Sequence, residues 1–209
     1  MNEKLIIACP KGRLENKVVK YLSDRGLKIE DAFFDDETRK LTFDTNFSEI
    51  KIIKLKPSDI RSYTILGAAD IGFVGYDDIL ENSQKNLVLL NKTNIGRCRI
   101  SIASDKKEIN FSEKKVFKVA KFQNISENYF KQLNIQTETI KLNGSIELAV
   151  KYGVADFILD LVQSGKTLKD NQLYENVIIN NDISTVIISS YFAYDTKKNF
   201  IKKLLNKGL

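Results

Sequence analysis

Apolar residues along the chain fall into short continuous runs, separated by stretches in which they recur every three or four positions. Leu5–Cys9 is such a run and reads as a buried strand. Pro10-Lys11-Gly12-Arg13-Leu14 follows, then Val18, Val19 and Leu22 at helical spacing, closing near Gly26. Leu41–Phe43 and Ile50–Leu55 read as strands, and Ser58-Asp59 opens a helix that Gly67 stops. Asp70–Val74, Leu87–Leu90, Ile95–Ala103 and Val116–Ala120 are the next strands, with a short helix over Asp77–Leu80. Ser126–Leu133 reads as a helix, Ile135–Ile140 as a strand, Ser145–Val150 as a helix and Phe157–Leu161 as a strand. Thr167 caps a short helix, and Leu173–Ile179 and Thr185–Ser189 are strands. The last predicted element is a lysine-rich helix, Thr196–Lys207, with Phe200, Ile201, Leu204 and Leu205 on one face.

Strands that alternate with helices predict parallel sheets covered on both faces. The strands are too many for one tidy sheet in 209 residues. The expected fold is therefore α/β, two α/β lobes with a cleft between them. The chain should cross between lobes near residues 92 and 182. That division makes residues 1–92 plus 183–209 the first lobe and residues 93–182 the second.

Composition narrows the chemistry. There is no histidine, which excludes a Ser-His-Asp triad, a Cys-His dyad, an HExxH zinc site and any imidazole acid or base. Any catalysis must rest on carboxylates, lysines, arginines, a substrate-borne metal or positioning. Cys9 and Cys98 are too few for a disulfide scaffold or a zinc cage and read as reduced, partly buried thiols of a cytoplasmic chain. The first apolar stretch is too short for a signal peptide, and no run approaches the roughly 18 apolar residues of a membrane span. The net charge is +6, but only six of the 33 cations are arginines and no dense basic stripe appears. That balance reads as a lysine-rich surface plus a site for a small anion rather than as a nucleic-acid face.

Four segments carry candidate chemistry. Gly165-Lys166-Thr167 suggests a P-loop, but the position that should hold its first glycine is Asp160, so a Walker A loop is rejected. The stretch from Asp160 to Leu168 still reads as a strand ending in a carboxylate, then a Ser/Gly/Thr loop opening a helix. Such a loop can cradle a phosphate, with the upstream carboxylate on the hydroxyls of an attached ribose. On this segment alone the favoured reading is an ordinary strand-turn-helix with Thr167 as its N-cap. Lys11 and Arg13 flank Gly12 at the end of the first strand, where open α/β sheets bind ligands, or where a solvated turn would sit. Gly67–Asp77 places glycines on both sides of a strand. Gly72 suits tight helix–strand packing, whereas Gly75 at the carboxyl end is the ligand candidate. In Asn143-Gly144-Ser145-Ile146-Glu147, Asn143 or Ser145 can cap a helix. Glu147 either favours its dipole or accepts from sugar hydroxyls.

Together these segments resemble the catalytic subunit of the ATP phosphoribosyltransferase family, in its short form. The stretches that carry the likeness are Pro10-Lys11-Gly12-Arg13-Leu14, Lys56-Pro57-Ser58-Asp59-Ile60 and Gly67–Asp77, then Gly96-Arg97-Cys98-Arg99, Leu142–Ala149 and Ala155–Leu168. They occur in the family's order and span most of the chain. The family often has Arg where this chain has Lys56, and Pro where it has Arg61. Its Lys-Tyr-Pro element is changed around Lys121-Phe122-Gln123, so Lys121 is given no role.

The resemblance implies a type II periplasmic-binding-protein-like fold. It also implies transfer of the phosphoribosyl group of phosphoribosyl pyrophosphate (PRPP) to N1 of ATP, with release of pyrophosphate, as the first step of histidine biosynthesis. Gln163, Ser164, Gly165, Lys166, Thr167 and Leu168, in the second lobe, would hold the 5′-phosphate. Glu147 and Asp160 would hold the ribose hydroxyls. Lys11, Gly12, Arg13 and Gly75 would bind ATP and pyrophosphate, with Arg39 and Lys56 as catalytic cations. Mg²⁺ is implied on the substrates, with no protein metal site. The implied assembly is a homodimer within a hetero-oligomer that includes a histidyl-tRNA-synthetase-like regulatory subunit, with no nucleic acid or membrane partner. The competing expectation is a small-anion-binding module of the same architecture without catalysis.

Overall fold

The computed structural model describes residues 4–82, 84–112, 116–142 and 144–206. Its strands form two sheets, and the chain divides into two compact units. The first comprises Met1–Tyr76, Gln84–Gly96 and Thr185–Leu209. The second comprises Asp77–Ser83 and Arg97–Ser184. The crossings at 96/97 and 184/185 lie a few residues beyond those expected near 92 and 182. The Asp77–Ser83 excursion was not foreseen.

In the first unit, β1 (Leu5–Pro10), β2 (Thr42–Asp44), β3 (Ile50–Leu55), β4 (Ile71–Gly75), β5 (Leu87–Lys92) and β11 (Thr185–Ser190) build a six-stranded sheet in the order β2-β3-β1-β4-β11-β5. β1 runs parallel to its neighbours β3 and β4, and it lies between them with only Ile6 of its six residues not fully buried. This is why it reads as an unbroken apolar run. Helix α1 (Glu15–Ser23) buries Val18 and Leu22 against the sheet. Helix α2 (Pro57–Ile65) starts with extended Lys56 as its N-cap and Pro57 in its first turn, where a missing N–H costs nothing. Gly72 of β4 is a packing glycine, because an added Cβ would meet Thr64 Oγ1 at 2.6 Å and Ile60 Cγ2 at 2.7 Å.

In the second unit, β6 (Cys98–Ser104), β7 (Val116–Lys121), β8 (Gln136–Ile140), β9 (Phe157–Val162) and β10 (Tyr174–Ile183) form a sheet in the order β10-β6-β9-β7-β8. β7 is parallel to β8 and β9. Helices α3 (Tyr76–Asn82), α4 (Gln123–Gln132), α5 (Glu147–Lys151) and α6 (Lys166–Asp170) are short. Ile146, Ala149, Val150 and Leu168 pack with Ile158 and Val162 of β9 in one core cluster.

Four expectations need correction. The sheets are mixed rather than parallel: β2–β3, β4–β11, β5–β11, β6–β9 and β6–β10 are antiparallel. Apolar periodicity reports burial and carries no information on strand direction. The last helix, α7 (Tyr191–Asn206), begins five residues before the predicted Thr196 and bends at Lys197, whose φ/ψ of −115°/18° is not helical. Its start is capped by Ser190, whose Oγ accepts the Ala193 N–H at 3.1 Å. Ile201 and Leu204 join the first unit's core, with Phe200 and Leu205 packed against it, while the predicted end at Lys207 lies outside the described residues. Thr167 is not a cap: Gly165, at φ +76°, is the N-cap of α6. Ile146 is the N-cap of α5, with no side-chain cap. Asn143, the alternative cap, lies outside the described residues.

Candidate active site

Parallel neighbours end on one edge of a sheet, so the first unit gathers the residues that follow β1, β3 and β4. Lys11 donates its backbone N–H to Leu55 O at 2.7 Å, which extends the β1–β3 pairing and sets Lys11 beside Lys56. Continuing the register Ala8↔Gly72 brings Gly75 level with Lys11. Arg39 precedes β2, whose start is fixed at the end of β3 by the Lys54 N–H on Leu41 O at 2.9 Å. Lys11, Gly12, Arg13, Arg39 and Lys56 are all exposed. Gly12 sits at φ +89° with open space where a Cβ would be, so the backbone conformation alone selects glycine there.

This edge is organised by Lys54 and Glu15, which the sequence reading did not single out. Glu15 accepts the Gly12 N–H at 3.2 Å and pairs with Lys54 Nζ at 2.8 Å. Lys54 also donates to Phe33 O and lies 3.9 Å from the centre of the Phe33 ring. Burial, reinforced by Glu15 and opposed by Lys54, pushes the Cys9 thiol up to about 12. Cys9 is thus a protonated core thiol with no nucleophilic role.

The second unit gathers the ends of β7, β8 and β9 in the same way. Asp160 pairs with Lys121 Nζ through Oδ1, which also accepts the Leu161 N–H at 2.7 Å. Lys121 ends β7 at φ +87°, a strained conformation for a residue with a Cβ. Half-buried Asp77, at the start of α3, has its carboxyl raised by burial; the charge of Lys121 opposes the shift and that of Asp160 adds to it.

Beyond β9, Gly165 takes the left-handed conformation that turns the chain into α6, and Ser164 Oγ accepts the Lys166 N–H at 3.3 Å. Leu168 is buried and anchors the helix, while Gln163, Ser164, Lys166 and Thr167 are exposed. Arg99 donates to Gln163 O at 3.2 Å and forks onto Glu175. Glu147 is half-buried in the first turn of α5, which follows β8, so it belongs to the same edge. The structure thus brings the candidates into two groups, Lys11, Gly12, Arg13, Arg39, Lys56 and Gly75 in one unit and Glu147, Asp160 and Gln163–Leu168 in the other. Lys121, Arg99, Glu175 and Asp77 have no role in the sequence reading. The visible signals for them are a lysine and an arginine at strand ends and an acid after Gly75.

Two α/β units, each with its polar candidates at the carboxyl edge of a mixed sheet, define a protein of the periplasmic-binding-protein-like class. A family model described as "HisG: ATP phosphoribosyltransferase" matches residues 56–207. The chain is 38% identical over 199 residues to the ATP phosphoribosyltransferase of Brachyspira hyodysenteriae, covering 95% of each. It is 37% identical over 204 residues to that of Clostridioides difficile, covering 96% of this chain and 95% of that one. Among solved structures, the ATP phosphoribosyl transferase (HisG:HisZ) complex from Thermotoga maritima matches with a TM-score of 0.78 at 30% identity, covering 96% of each chain. The chain belongs to the HisG family of ATP phosphoribosyltransferases.

Proposed function

We propose that this chain transfers the phosphoribosyl group of PRPP to N1 of ATP with release of pyrophosphate, the first step of histidine biosynthesis. The observation that carries the reading is the match to ATP phosphoribosyltransferases over nearly the whole chain. It sets aside a non-catalytic anion-binding module. The N1 lone pair forms the new bond to C1 of the ribose, and the pyrophosphate oxygen leaves with the electron pair of the old one. The reaction needs no imidazole. Alignment of N1 with C1 is worth up to about 7–11 kcal/mol, and cations stabilise the charge that develops on the leaving group.

In this reading Ser164, Gly165 and Thr167, with Gln163, Lys166 and Leu168, hold the PRPP 5′-phosphate, and Glu147 and Asp160 accept from the ribose hydroxyls. Lys11, Gly12, Arg13 and Gly75 take ATP and pyrophosphate. Arg39 and Lys56 supply positive charge at the leaving group. Among the described residues no carboxylate pairs with Lys11, Arg13, Arg39 or Lys56, so these cations stand open to an anion. Lys56 keeps the charge of the arginine usual in the family and loses the bidentate fork.

The enzyme class uses a metal ion, and Mg²⁺ carried by the substrates fits this chain. Mg²⁺ keeps several waters and takes phosphate oxygens of its substrate, so PRPP can carry it while Glu147 and Asp160 stay on the ribose hydroxyls. When bound it neutralises charge on the departing pyrophosphate. ATP and PRPP as substrates, and two cysteines outside any disulfide, suit a cytoplasmic enzyme. The Thermotoga complex supports a regulatory partner subunit, here a histidyl-tRNA-synthetase-like chain joined to a homodimer of this one.

The test is to mix the chain, alone and with the candidate regulatory subunit, with ATP, PRPP and Mg²⁺. The absorbance change of an N1-substituted adenine is the readout, and a binding module gives none. Thr167→Ala should raise the PRPP requirement by about tenfold, the cost of one lost hydrogen bond to a charged group. The ATP requirement should stay near wild type. Equal effects on both substrates would reject the phosphate-loop assignment.

A further inference from the structure

We propose that Arg99 is a positioning residue for the reaction: its guanidinium ties the Gln163–Gly165 turn to strands β6 and β10 and holds it ready for the 5′-phosphate of PRPP. The proposal rests on the assignment of that turn to the phosphate.

Three strands meet at this one side chain. Arg99 lies on β6, opposite Val162 at the end of β9. Its Nη1 donates to the Gln163 carbonyl at 3.2 Å, the first residue beyond β9. Its Nε and Nη2 fork onto the two carboxylate oxygens of Glu175 on β10, Nη2 at 2.6 Å from Oε2. Ser101, two residues along β6 and on the same face, donates its hydroxyl to Glu175 Oε1 at 2.6 Å. The carboxylate is thus held from two sides, and the Arg99 hydrogen bonds are the main reason its pKa stands below the ordinary value.

A planar guanidinium with both ends engaged cannot swing, so the Gln163 carbonyl is fixed as well. Next to it, Gly165 takes φ +76°, and a Cβ there would lie 3.9 Å from Arg99 Nη2. Glycine and guanidinium therefore lie side by side, and buried Leu168 anchors the helix that follows the turn. The α6 helix has only five residues, too short to hold its own first turn rigid. Rigidity here has to come from outside the helix, and Arg99 supplies it. A turn held in its binding conformation gives the phosphate a lower ordering cost than a mobile one.

The test compares Arg99→Lys and Glu175→Gln with Thr167→Ala in the enzyme together with its regulatory subunit. Lysine keeps the charge but cannot bridge Glu175 and Gln163 at once. Arg99→Lys should raise the PRPP KM by about tenfold, leave the ATP KM within about twofold, and reduce the rise in melting temperature that a fixed concentration of PRPP gives. Glu175→Gln should shift the PRPP KM in the same direction by less, and the double variant should be no worse than Arg99→Lys, because both act through one fork. If Arg99→Lys does not fold, Glu175→Gln carries the same readout. A raised PRPP KM in Thr167→Ala with wild-type values in both other variants would overturn the positioning role and leave the phosphate turn standing. No effect of Thr167→Ala on PRPP would remove the turn assignment and this proposal with it. Equal losses toward ATP and PRPP would make Arg99 a scaffold residue and overturn the proposal.

Discussion

Gly72 and Gly12 are the same residue type for different reasons. At Gly72 the space is taken, with Thr64 and Ile60 inside the contact distance of any added Cβ. At Gly12 the space is free and the left-handed backbone is the constraint. At Asp77 environment and charge disagree. Burial raises its carboxyl above the ordinary 3.8, so its ionisation weakens the fold. That weakening is complete above the folded-state pKa and fades as pH falls through it toward the unfolded value. Asp77→Asn should therefore raise Tm at pH 7 by about 2–4 °C, the shift that about 1 kcal/mol brings in a chain of this size. The gain should vanish once the wild-type carboxyl is protonated. A variant that melts at or below wild type at pH 7 would show that the backbone N–H groups of Asp77 and Asp78, with the charge of Lys121, together outweigh burial.

Helix ends in this protein are finished by neighbours as well as by their own sequences. Helix α4 has no side-chain cap of its own. Glu81 of α3 supplies one: its carboxylate accepts the N–H groups of Gln123, Asn124 and Ile125 at 2.8, 3.1 and 3.1 Å. Its backbone carbonyl takes the Asn124 side-chain amide at 2.8 Å. A carboxylate there also meets the positive end of the helix dipole. Glu81→Ala should cost about 1–2 kcal/mol, as loss of a cap does. Amide exchange should quicken at residues 123–125 before it does elsewhere in α4, and unchanged exchange at those three amides would contradict the cap. Helix α7 shows the same dependence, since its first turn is held by Ser190 from the preceding strand.

At the scale of the whole molecule the chain has a counterpart in a complex, the Thermotoga maritima HisG:HisZ assembly, which it matches over 96% of its length. A regulatory subunit that resembles histidyl-tRNA synthetase is the natural place for a histidine sensor, and we propose that sensing belongs to it. The expected result is weak or no histidine inhibition of the purified chain, and clear inhibition once the regulatory subunit is added. Co-elution of the two in size-exclusion chromatography, at a mass above that of the chain alone, should accompany it. Strong inhibition of the isolated chain by histidine would place the sensor on this chain instead.

Burial pattern alone located nearly every strand and helix, because a residue's place on a pleat or a helical turn is a local property. Ile50–Leu55 reads the same in both, and Pro10-Lys11-Gly12-Arg13 could be assigned to a strand end from the sequence. The absence of histidine likewise excluded imidazole chemistry before any fold was known. Pairing direction, partner choice and cap identity belong to the tertiary structure. The mixed sheets, the Lys121–Asp160 pair, the Arg99–Glu175 fork and the Glu81 cap join residues 39, 76 and 42 positions apart in the last three cases. No local periodicity encodes such contacts: a charged residue at a strand end has the same sequence signature whether water or another strand satisfies it. Only the folded sheets bring those ends to one edge and decide which charges meet each other and which stay open to a substrate.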